Sequence, residues 1–111
     1  MKDIAIADVR NFVIMGHTGS GKTAIVDAML HKLGINDRHG STDDGSSMAD
    51  WTDEEKDRKI TIWTKPFDAV YKKNHLVFID TPGYADLFGQ VVAASSVADA
   101  ALITVDAAGG V

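Results

Sequence analysis

Gly16-His17-Thr18-Gly19-Ser20-Gly21-Lys22-Thr23 fits G-x-x-x-x-G-K-[ST] at every fixed position. Its flanks agree with the strand, loop and helix order such a motif requires. Asn11, Phe12, Val13, Ile14 and Met15 form the short apolar run of a strand buried on both faces. Behind the loop, Ile25, Val26, Met29, Leu30 and Leu33 mark one stripe of a helix that Gly34 can end. The pattern predicts a phosphate-binding loop. Glycines let successive N–H groups curl toward a polyphosphate, and the helix start adds its positive dipole end. His17, Thr18, Gly19, Ser20 and Gly21 are the cradle. Lys22 supplies a charge for the β- and γ-phosphates, and the Thr23 hydroxyl can ligate Mg²⁺.

Working outward, the 111 residues allow one domain, 1-111, and 45% hydrophobic with 24% charged residues is an ordinary globular balance. A net charge of -5 argues against a broad basic surface, so no direct nucleic-acid site is expected. The absence of cysteine excludes disulfides and thiolate zinc sites. The four histidines, His17, His31, His39 and His75, lack metal-ligand spacing and read as surface or turn residues. Met1 to Val9 is too short and acidic for a signal peptide, no stretch reaches membrane-span length, and a cytoplasmic location is the default expectation.

Ile35 to Lys59 is rich in Asn, Asp, Gly and Ser and then in charge, with Met48 and Trp51 its only large apolar residues. It reads as a long mobile loop, mostly solvated. Within it, Asp50 to Arg58 has an acidic start, a basic end and a Glu54–Arg58 spacing suited to a short helix. Ile60 to Tyr71 alternates loosely and contains Pro66, which predicts an edge strand, regular or bulged. A polar turn at Lys72-Lys73-Asn74 then leads into Leu76-Val77-Phe78-Ile79, a buried run, so an antiparallel hairpin is the simplest connection. Asp80-Thr81-Pro82-Gly83-Tyr84 follows at the strand's carboxyl end, where ligands bind in open α/β sheets. Asp80 is therefore expected beside the phosphate loop to complete a Mg²⁺ site, with the Gly83 N–H near a terminal phosphate.

Leu87, Phe88, Val91, Val92 and Ser95 have helical spacing and read as core. Ala100 to Val105 is a third buried run, and Ala107 to Val111 a loop leaving it. The expected architecture is an α/β P-loop fold: a twisted, mostly parallel sheet with flanking helices.

The phosphate loop, Arg58-Lys59-Ile60-Thr61-Ile62 and Asp80-Thr81-Pro82-Gly83, in this order and at these separations, resemble the start of the GTP-binding domain of translational GTPases. Within that group the stretch is most similar to elongation factor G and its elongation-factor-G-like paralogues, from Asn11 to Val111. The resemblance implies GTP/GDP and Mg²⁺ as ligands and the ribosome as partner of the full-length protein. It implies that Thr61 closes over Mg²⁺ and the γ-phosphate, and that Asp80 and Gly83 belong to a second switch. The guanine-reading Asn-Lys-x-Asp motif does not occur, so the chain reads as an amino-terminal fragment truncated before the later strands, with Ala100 to Val105 left as an apolar edge prone to self-association. The group usually carries Asp at Gly19, Gly at Lys59 and His at Tyr84, the last positioning the attacking water. Tyr84, Thr61 and Gly83 are thus the catalytic candidates of a GTPase expected to be slow. The alternatives are a GTP-dependent binding switch with little hydrolysis and a P-loop ATPase or kinase unrelated to translation.

Overall fold

Strand β1 (Val9–Gly16) runs into the glycine-rich loop, which hands the chain to helix α1 (Lys22–Lys32). The computed structural model describes residues 3–37, 40–41 and 43–110; His39, Met1 and Val111, included in the readings above, lie outside them. Helix α1 ends as its sequence predicts. The Gly34 N–H bonds the His31 carbonyl and the Ile35 N–H bonds the Leu30 carbonyl, the paired bonds of a Schellman ending.

A short helix α2 (Asp53–Arg58) precedes β2 (Lys65–Tyr71) and β3 (Asn74–Asp80); helix α3 (Phe88–Ser95) and β4 (Ala100–Thr104) complete the order. The sheet order is β2-β3-β1-β4. β1 pairs parallel with β3 and β4, and β2 pairs antiparallel with β3 through the turn at Lys72 and Lys73, both with positive φ. The hairpin, the edge position of Pro66 and the mostly parallel sheet are as the sequence predicts. Neighbouring residues of β1 serve opposite faces. Ile14 packs with Val26, Leu30, Ala49 and Phe78, whereas Val13 packs with Ile79 and Ala94. Phe78 stacks between Phe12 and Phe67 at centroid distances of 5.9 and 5.5 Å.

Five readings need correction. The edge strand begins at Lys65, not Ile60, because the N–H groups of Ile62, Trp63 and Thr64 are taken by the side chains of Glu55 and Gln90. The Ile35 to Lys59 stretch is not simply solvated: Ala49 enters the core and Ser47, Asp50 and Glu55 are buried, while Met48 and Trp51 stay exposed. Its apolar landmarks mislead because polar residues with dedicated partners make the contacts. On α3 only Ala94 is fully buried and Phe88 and Val92 are exposed, because a small residue lets the helix approach β1 closely. Leu102 and Ile103 of β4 are exposed, because among the described residues that strand has β1 as its one sheet neighbour. His75 is half-buried within β3 rather than in a turn, its Nε2 3.7 Å from Asp68. Among the described residues no helix is long and apolar enough to cross a membrane.

Candidate nucleotide site

The carboxyl ends of β1 and β3, in register at Ile14 and Asp80, open onto a cavity of about 620 Å³. It is lined by Thr18, Gly19, Gly21, Lys22 and Thr23 of the phosphate loop, by Gly40, Ser41 and Asp43, by Asp50, by Lys59, Ile60 and Thr61, and by Gly83 with Tyr84. Segments far apart in sequence therefore converge on one space.

The loop is held from within. The His17 carbonyl accepts from Lys22 Nζ at 2.8 Å, from Ser20 Oγ at 2.6 Å and from the Ser20 N–H at 3.2 Å. Ser20 Oγ also lies 2.6 Å from Thr104 Oγ1 on β4. A side chain at Gly16 would collide with that threonine, so glycine is required where β4 crosses the loop's start. His17 and Ser20 thus shape the loop and do not line the cavity. No side chain caps α1 at Gly21, which suits a helix start facing an anion. Burial lowers the Lys22 pKa, and the negative charges of Asp80 and Asp50 counter that fall.

Thr61 is buried, with its hydroxyl 2.9 Å from Thr23 Oγ1 and donating to Asp50 Oδ1 at 2.7 Å. Sequence reasoning missed Asp50, a carboxylate lost within an apparently solvated charge run. Burial raises its pKa, with Thr61 and Lys65 opposing. Gly83 is pinned too: its carbonyl accepts the Thr18 N–H at 3.2 Å, and a Cβ there would strike Thr18 and Lys22. Lys59 at the rim has φ 54 and ψ 41, a left-handed conformation that explains why glycine suits this position in the resembled group.

Asp80 is fully buried behind the cavity wall, and neither carboxylate oxygen has a hydrogen-bonding partner; Asp50 Oδ2 is equally orphaned. Burial first, then the charge of Asp50, pushes the Asp80 pKa up to about 7, against the pull of Lys22, Lys65 and the nearby Thr81 N–H. The unsatisfied carboxylate oxygens of Asp80 and Asp50 and the hydroxyls of Thr23 and Thr61 are hard oxygen donors, the ligand type that suits Mg²⁺. In protein free of nucleotide and metal, the folded state keeps the Asp80 proton up to about pH 7, while the unfolded chain releases it at about pH 4. Its contribution to stability therefore falls as pH rises through that window. Urea titrations in chelator should show the stability advantage of Asp80→Asn over wild type growing by about 2 kcal/mol between about pH 5 and about pH 8. A pH-independent difference would contradict this.

A strand, a glycine-rich loop and a helix, with the segment before β2 and the segment after β3 both bonded to this motif, define a P-loop nucleotide-binding domain. The chain belongs to the elongation factor Tu GTP-binding domain family, whose model matches residues 7–111. It is similar to a Thermus thermophilus protein of known crystal structure, with 36% identity and a TM-score of 0.89 over 95% of this chain. The chain spans 16% of that protein's length. Bacterial selenocysteine-specific elongation factor EF-Sec shares the fold at 22% identity and a TM-score of 0.64, over 87% of this chain and 15% of that one. So does the S. cerevisiae Ski7 GTPase-like domain, solved with GDP and inorganic phosphate, at 17% identity and 0.69, over 88% of this chain and 25% of that one. The chain is thus a translational-GTPase-like GTP-binding domain, and an unrelated ATPase or kinase gains no support.

Proposed function

We propose that residues 1-111 form the amino-terminal part of the GTP-binding domain of an elongation-factor-G-like translation factor, acting in the cytoplasm with the ribosome as partner of the full-length protein. The observation that carries this reading is the direct contact of Thr61 with Thr23, hydroxyl to hydroxyl at 2.9 Å, with Gly83 pinned to the same loop. Thr18, Gly19 and Gly21 offer backbone to the phosphates, and Lys22 swings from the His17 carbonyl to the β- and γ-oxygens. Thr23, Thr61 and Asp80 would hold Mg²⁺, which neutralises phosphate charge when bound. The Gly83 N–H and the Thr61 segment respond to the γ-phosphate, so their order depends on which nucleotide is present. The second reading, a binding switch with little hydrolysis, is favoured by the phenol at Tyr84 on the cavity wall.

Lys22→Ala is the direct test. Removing this charge-assisted contact should weaken Mg-GTP binding by at least about tenfold in a fluorescent-nucleotide titration. Unchanged affinity would refute the assignment of the loop.

A further inference from the structure

Ile62, Trp63 and Thr64 lie between Thr61 and β2 without a strand partner, yet their three N–H groups are satisfied. Glu55 Oε1 accepts from Ile62 at 3.0 Å and from Trp63 at 3.2 Å. Gln90 Oε1 accepts from Thr64 at 2.7 Å, and Gln90 Nε2 donates to the Ile62 carbonyl at 2.8 Å. One planar amide thus pairs with an N–H and a C=O two residues apart, as a neighbouring strand would.

Gln90 stands on α3. That helix continues the turn at Ala85–Leu87, where the Leu87 N–H bonds the Tyr84 carbonyl at 3.0 Å. A single side chain therefore links the arm ending in Thr61 to the helix that follows Gly83 and Tyr84. We infer that Gln90 is a positioning residue that couples these two arms, so that closure of either on the phosphate loop favours closure of the other. This rests on the proposed role of Thr61 and Gly83 as responders to the γ-phosphate.

Each arm meets the phosphate loop through few bonds: Thr61 with Thr23, and the Gly83 carbonyl with Thr18. Unlinked, each arm bears its own ordering cost when it closes. Linked through Gln90, the second arm orders more cheaply once the first has closed, which is coupling in the thermodynamic sense. The helix itself packs through Ala94, and Gln90 is half-buried, so truncating it removes the link without opening the core.

The test compares GDP with a non-hydrolysable GTP analogue, both with Mg²⁺, in the full-length protein. Two ordinary hydrogen bonds correspond to about a tenfold change in equilibrium. Gln90→Ala should weaken analogue binding by about tenfold, leave GDP affinity within about twofold and leave the melting temperature with GDP unchanged. Hydrogen exchange should then show protection around Gly83 to Leu87 rising with the analogue while residues 61–64 stay open. Gln90→Glu, which keeps the acceptor for Thr64 and loses the donor to Ile62, should fall between. Equal weakening of both nucleotides, or of neither, would overturn the coupling role. Wild-type protein whose two arms exchange identically in GDP and analogue would overturn both the coupling and the switch reading beneath it.

Discussion

Substituting Met for Lys65 is expected to lower the unfolding free energy by about 3–5 kcal/mol, the range seen when one member of a buried ion pair is removed. The Lys65 ammonium donates to Glu55 Oε2 at 2.6 Å, also bonds the Ala49 carbonyl, and lies 3.7 Å from Asp50 Oδ1. Glu55 is wholly buried and Asp50 nearly so. Burial pushes the Glu55 carboxyl up, but Lys65, the N–H groups of Ile62 and Trp63 and the Thr52 side chain outweigh it and hold the group below its ordinary value. Without the ammonium, the wholly buried Glu55 carboxylate loses its direct counter-charge, and Asp50 is left with the Lys22 charge alone. The damage should reach the site, because Asp50 is the acceptor for the Thr61 hydroxyl. Urea unfolding should show a lower midpoint at unchanged m-value, and adding Glu55→Gln should restore most of the loss, since these partners are strongly coupled. A loss below about 1 kcal/mol, or a double variant as weak as the single, would show that the pair is solvated.

That cluster also marks where the sequence stopped being readable. The phosphate loop was legible because motif, strand and helix are local and agree with one another. The position of Asp80 at the end of β3 was legible because a carboxylate ending an apolar strand has one natural place in an open sheet. Glu55 was not, although Thr52-x-x-Glu55 is a capping-box spacing that predicts the start of α2, and both bonds of the box are present. What buries Glu55 is Lys65, ten residues on and in another element, and no local periodicity announces such a partner. The Glu54–Arg58 pair, which the spacing does announce, lies exposed at 3.7 Å and contributes little. Gln90 was hidden similarly: on a helix read for its apolar stripe, the residue with the most specific contacts is the polar one beside it. The exposed Phe88, Val92 and Ile103 were misread because apolar composition alone does not say which neighbour covers a face.

Tyr84 carries the other large expectation: normal GTP binding by the full-length protein, with single-turnover hydrolysis about a hundredfold slower than in a Tyr84→His variant. In the resembled group an imidazole at this position orients the attacking water. A phenol is longer, and its hydroxyl overshoots that water unless the backbone of Gly83 retreats. Retreat is resisted here. The Gly83 carbonyl is bonded to the Thr18 N–H, and the glycine packs so tightly on Thr18 and Lys22 that a Cβ has no room. Leu87, bonded to the Tyr84 carbonyl, holds the other side of the residue. The side chain is 41% exposed on the cavity wall, free to turn outward rather than to engage a water at fixed distance. A misplacement of about 1 Å costs on the order of a hundredfold in rate, which sets the size of the effect. A hydroxyl can still accept and donate hydrogen bonds, so the competing possibility is an adapted substitute in which the phenol itself orients water. Tyr84→Phe separates the two on ribosomes. A slow wild-type rate that Phe leaves unchanged and His raises fits a displaced side chain. A fast wild-type rate that collapses in Tyr84→Phe would make the hydroxyl catalytic and sink the geometric argument.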